Sequence, residues 1–153
     1  SIVLSSSKPH EGVVHELFSL SYTPACNKEN WQAWQENPFQ ALNEVPLILH
    51  KARPWAWHQW AEHAGVEDFA PKQIIQVDSM FGVARAAQQG MGIALIPLPI
   101  SQTWFDEQWL FNFTDMPLKT KDKYYLVQHD PSETNAQLEL FIKWMIDTFK
   151  HLK

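Results

Sequence analysis

Along residues 73–96 the apolar positions change period twice. A β-branched apolar stretch gives way to helical spacing and then to a wholly apolar run. Ile74, Ile75 and Val77 form the first stretch, which predicts a strand. Asp78 and Ser79 then supply side-chain oxygens of the kind that open helices, and Phe81, Ala84, Ala87 and Met91 recur at helical spacing. Gly90 stops that helix, and Gly92 lets the backbone turn closely into residues 93–96, which read as a strand buried on both faces. The predicted helix therefore starts at the carboxyl end of a strand, where open α/β sheets gather their ligands.

The rest of the chain repeats this alternation. Residues 13–18 and 20–25 are strand-like and nearly contiguous, residues 29–36 predict a short helix closed by Asn37 and Pro38, and residues 47–49 form a short buried strand. Residues 54–64 predict a helix with Trp57, Trp60, Ala61 and Ala64 on one face and Gly65 as its stop. A short helix over 100–106, a weak strand over 110–113 and a stronger one over 123–128 follow. Residues 132–150 read as a long amphipathic helix, with Leu138, Phe141, Ile142, Met145 and Phe149 on one side and Ser132, Thr134 or Asn135 as its cap. Such alternation predicts an α/β fold, a mostly parallel sheet with helices on both faces. There is no internal repeat and no low-complexity tract.

Several segments together carry a family resemblance. The run in which Asp78 and Ser79 open a helix that leads to A-x-x-G-x-G-I-A-L-x-P resembles the second half of the effector-binding domain of LysR-type transcriptional regulators, in particular the branch around the glycine-cleavage activator. Residues 1–5 (SIVLS) look like the tail of that family's D-L-A-I-R strand. Residues 16–27 (ELFSLSYTPACN) resemble its L-F-x-x-x-x-x-P-V-C-S segment. Residues 46–50 (PLILH), the tryptophan helix around Trp57 and the Tyr-Tyr-Leu-Val strand from Tyr124 follow in family order, so the resemblance covers nearly the whole chain.

The resemblance implies a type 2 periplasmic-binding-protein-like architecture containing the second subdomain and part of the first. Residues 1–19 would be a remnant of subdomain I, residues 20–128 subdomain II with its crossover strands, and residues 129–153 a helix returning to subdomain I. It further implies the effector-sensing domain of a bacterial, cytoplasmic regulator. A small metabolite would be held between subdomains and would alter how a homo-oligomer presents its DNA-binding domains. DNA would be reached only through an N-terminal winged helix-turn-helix that these residues lack. Carried over position by position, Thr23 and Pro24 match the first crossing, Asp78, Ser79 and Met80 the cleft-facing helix start, and Pro97 the loop after the G-x-G strand. The alternative is the solute-capturing lobe of a transport receptor with the same fold.

Composition narrows the partners. Acidic residues number 17 against 12 Lys and Arg, a net charge of -5 that is opposite in sign to a nucleic-acid footprint, so these residues are not expected to hold DNA by themselves. No apolar run reaches the length of a membrane span, and no membrane partner is expected. The single cysteine, Cys26, excludes an internal disulfide, is compatible with a reducing cytosol and reads as a small buried hydrophobe.

Candidate catalytic chemistry does not assemble. His58 and Glu62 share a helical face, but His63 points about 140° away from His58, so the three do not make a metal site. Gly90 and Gly92 lack the third glycine of a dinucleotide fingerprint and follow a helix instead of preceding one. No G-x-S-x-G elbow accompanies the serines and histidines. The expectation is a binding domain, not an enzyme, with no cofactor and no metal. Of the clustered tryptophans, Trp55 and Trp57 are the ones placed to edge a cleft, the other reading being core packing. Ser79 and Asp78 are likewise open between capping and ligand contact. The free amides at a helix start attract an anion, and Asp78 suits one only if it faces away or meets a ligand amine.

Overall fold

The computed structural model describes residues 1–10, 12–128 and 136–149. The chain divides into two compact units, residues 1–20 with 119–153 and residues 21–118. Both boundaries fall inside long strands. The second lies ahead of the strand predicted over 123–128, so that strand belongs with unit 1 and not with the central segment.

In unit 1, β1 (Ile2–Ser5) pairs antiparallel with β7 (Leu118–Gln128), matching Ile2 to Leu126 and Leu4 to Tyr124. β7 also borders the first part of β2 (Val13–Cys26). The two strands predicted over 13–25 are thus one strand, in which the exposed Ser19 interrupts the apolar pattern without breaking the backbone ladder. Helix α6 (Ala136–Phe149) places Met145, Ile142 and Phe149 on Leu17, Phe18, Leu126 and Tyr124. The Phe18 ring sits 4.8 Å from that of Tyr124 and 4.9 Å from that of Phe149. Phe141, predicted on this inner side, is exposed together with Leu140 and Trp144. Apolar residues occupy two faces of α6, and periodicity alone does not say which one meets the sheet. The predicted caps Ser132, Thr134 and Asn135 lie outside the described residues.

Unit 2 is built on β3 (Leu47–His50), flanked in parallel by β4 (Ile74–Val77) and β5 (Ile93–Leu98). The second part of β2 adds antiparallel to β5, and the short β6 (Phe111–Asn112) adds antiparallel to β2. The parallel expectation therefore holds for the βαβ core. The crossing strands add antiparallel pairs, because β2 enters this unit from the end where β5 leaves it.

Helix α3 (Ala56–Ala64) joins β3 to β4, and α4 (Met80–Gln88) carries the chain from β4 back across β3 to β5. Right-handed crossovers in opposite directions place these helices on opposite faces. On one face Val83, Ala84 and Ala87 of α4 pack on Ile48, Ala94 and Ile96. Phe81 and Met91, which share the helical spacing of Ala84 and Ala87 in the sequence, are exposed, since the small residues Ala84 and Ala87 set the contact face.

Asn27 caps α1 (Lys28–Trp34) by accepting from the Asn30 amide at 2.9 Å. The side-chain Nδ2 groups of Asn27 and Asn30 donate to the carbonyls of Gln88 and Gly90 respectively and so tie α1 to the end of α4. Pro38, predicted to close a helix, instead opens α2 (Pro38–Glu44), because proline at the first helical turn gives up an amide that has no partner there anyway.

Candidate functional site

The carboxyl ends of β3, β4 and β5 lie at one end of unit 2, as parallel pairing requires. After Val77 the chain passes through Asp78 to Ser79, whose extended backbone (φ -140°, ψ 146°) and hydroxyl cap α4, with Oγ accepting from the Gly82 amide at 3.0 Å. Gly82 is required by close approach, since a Cβ there would press on the Val77 side chain at 2.8 Å. Asp78 and Ser79 are exposed, whereas Met80 turns inward against the α4 core. Pro97 lies on the last rungs of β5, opposite Tyr22.

Thr23 and Pro24 are placed differently. They pair with Ile96 and Leu95, one and two rungs deeper than Pro97. Thr23 is only 3% exposed, and its hydroxyl donates to Asn112 Oδ1 at 3.2 Å. The Pro24 carbonyl accepts from the Phe113 amide at 2.8 Å. Both residues hold β2 to its neighbours, and Pro97 is likewise buried within β5, while Asp78 and Ser79 stand exposed past the end of β4.

Arg53, not singled out from the sequence, reaches this rim. It lies in the loop after β3, beyond Lys51 and Ala52, and its guanidinium carbon lies 5.6 Å from the centroid of the Tyr22 ring. Because β5 separates β3 from β2, the side chain spans the end of β5. The local signal was the basic run of His50, Lys51 and Arg53 just beyond a strand's carboxyl end. His50 Nδ1 accepts from the Ala52 amide at 3.0 Å, which fixes the start of that loop.

The tryptophan question divides. Trp57 is 0% exposed, donates Nε1–H to the Ile48 carbonyl at 3.0 Å and meets Trp60 edge to face at 5.4 Å, so it is a core residue. Trp55, at the helix start, is 51% exposed. Trp31 and Trp34 pack on Phe111 and Phe113. His58 stands edge-on to Phe69 at 5.4 Å. Among the described residues no group of three or more His, Cys, Asp or Glu side chains is placed to hold a metal ion.

Cys26 is fully buried at the end of β2, and desolvation pushes its thiol up from 9.0 to about 12. The folded protein keeps a proton there that the unfolded chain releases above pH 9. This group therefore lowers stability as pH rises from about 9 towards 12, with a slope of at most about 1.4 kcal/mol per pH unit. Denaturation measured at intervals from pH 8 to 11 is expected to show a shallower decline for Cys26→Ala than for the natural chain. Parallel declines would show that the thiol is not the group responsible.

A sheet with parallel core strands, a capped helix at their carboxyl ends and the order β5-β3-β4 define an α/β domain of the open-sheet kind. The sequence matches the LysR substrate binding domain family over residues 2–150, and the chain belongs to that family. Its fold is similar to that of the effector domain of the transcriptional regulator AmpR of Pseudomonas aeruginosa, with a TM-score of 0.75 and 20% identity over 98% of this chain and 71% of that one. The AmpR effector binding domain from Citrobacter freundii gives a TM-score of 0.76 and 18% identity over 98% of this chain and 74% of that one. Full-length LysG from Corynebacterium glutamicum, with bound effector Arg, gives 0.64 and 14% over 98% and 51%. At these identities the likeness to solved structures is one of fold, which is the type 2 periplasmic-binding-protein-like α/β architecture. No curated protein matches the sequence. The family match decides for the effector domain of a LysR-type regulator over the lobe of a transport receptor. No described helix is long and apolar enough to cross a membrane.

Proposed function

We propose that this chain binds a small-molecule effector at the carboxyl ends of β3, β4 and β5 and does no chemistry on it. The observation that carries the reading is Ser79. This residue stands exposed just beyond β4, at a helix start of the kind that presents backbone N–H groups and a positive dipole end to a polar ligand. Asp78 beside it supplies a carboxylate for a ligand amine, and Pro97 shapes the neighbouring rim. Thr23, Pro24 and Met80 support this rim from behind. The ligand acts in a cytoplasmic, DNA-bound homo-oligomer by binding its alternative arrangements unequally, since equal affinity would shift nothing. DNA contact belongs to a winged helix-turn-helix outside these residues.

The test is a thermal-shift screen of this chain against amino acids and small carboxylic acids, repeated on Ser79→Ala and Ser79→Asn. Losing the cap alone costs about 1 kcal/mol of stability. A contact role predicts in addition that the ligand-induced rise in Tm disappears in Ser79→Ala. If both variants keep the full ligand-induced rise, Ser79 is a cap and the site lies elsewhere.

A further inference from the structure

A pocket lies on the flank of α4, and Ser79 is not part of its lining. Its floor is Ala84 and Leu110, its walls are Phe81, Trp104 and Trp109, and Arg85 and Gln88 stand at its rim. The pocket has a volume of about 140 Å³. An apolar cavity of about 150 Å³ accepts a single benzene ring. Trp104 belongs to α5 (Gln102–Asp106), and the amides of Trp109 and Leu110 both donate to its carbonyl, at 2.9 and 3.1 Å. This turn passes through Gln108 at φ +61°, a left-handed conformation that non-glycine residues rarely adopt. Trp109 follows it, 49% exposed, and lines the pocket together with Phe81, which is 66% exposed.

We infer that this pocket binds a planar aromatic monocarboxylate, with the ring among Trp104, Trp109 and Phe81 and the carboxylate towards Arg85. Aromatic walls favour a flat ring in offset or edge-on contact. The floor offers no polar side chain, so the ligand's polar group must sit at the rim. Arg85 is the charged residue of the lining, and no carboxylate belongs to it, so that group should be an anion. A guanidinium is suited to a carboxylate because its planar fork matches two oxygens. Arg85 Nη1 donates to Gln88 Oε1 at 3.1 Å, which holds the guanidinium beside the opening.

Titration of the chain with sodium benzoate, followed through the indole N–H signals in NMR spectra, tests the inference. Trp104→Phe and Trp109→Phe identify the two relevant signals. Both are expected to shift with a Kd on the order of 1 mM, as suits so small a ligand. Acetate, which lacks the ring, and benzylamine, which reverses the charge, should leave them in place at equal concentration. Arg85→Gln should weaken benzoate binding about tenfold without altering the response to benzyl alcohol, and the surface change Trp109→Ala should remove both. Three outcomes would overturn the inference. Benzylamine could bind as tightly as benzoate, Arg85→Gln could have no effect, or sedimentation could show that a second copy of the chain already covers the pocket and excludes benzoate.

Discussion

Gly92→Ala is expected to destabilise unit 2 by on the order of 3–5 kcal/mol, combining overpacking with the loss of a buried backbone hydrogen bond. Gly92 leads into β5 at the point where it meets β3, and the next residue, Ile93, donates its amide to the Pro46 carbonyl at 3.0 Å. A Cβ at Gly92 would overlap that same carbonyl oxygen and come within 2.9 Å of its carbon. The obstacle is backbone on both sides, so no side chain can rotate away, and relief requires the start of the β3–β5 ladder to open. Chemical denaturation followed by tryptophan fluorescence measures the loss. Gly65→Ala is the control: Gly65 adopts φ +71° with nothing within 4 Å of the point a Cβ would occupy, so only the left-handed penalty of about 1 kcal/mol applies. Equal losses at the two sites would show that β3 and β5 accommodate the methyl group.

Trp57→Ala should cost about 3–5 kcal/mol, as large aromatic-to-alanine changes in a closed core do. Trp57 is fully buried against Trp60 and stacks on Phe69 at 6.5 Å, so truncation leaves a void lined by two further rings. Trp57→Phe separates packing from hydrogen bonding. It retains most of the ring but leaves the Ile48 carbonyl without the indole N–H, at a cost of about 1–3 kcal/mol. A double-mutant cycle with Trp60→Ala should return a coupling of about 0.5–1.5 kcal/mol from the edge-to-face pair. A Trp57→Ala variant with stability within about 1 kcal/mol of the natural chain would contradict the core assignment and restore Trp57 as a candidate for ligand contact.

Local sequence determined a good part of this protein. The strand over 74–77, the Ser79 cap and the strand from Ile93 were legible because each depends on neighbours a few residues away. A hydroxyl meets an amide three residues on, and side chains repeat with the period of their own backbone. The same motifs in order also carried the family resemblance. Tertiary structure decided the rest. Helix α6 carries apolar residues on two faces, and only the sheet beneath it selects Met145 over Trp144. Trp55 and Trp57 are two residues apart with the same chemistry, yet one is exposed and the other closed in, because helix rotation against β3 places them differently. Thr23 meets Asn112 across 89 residues, and Arg53 meets Tyr22 across the end of β5. Periodicity specifies which face a residue occupies but not what stands opposite it, and these partners exist only after the strands have paired.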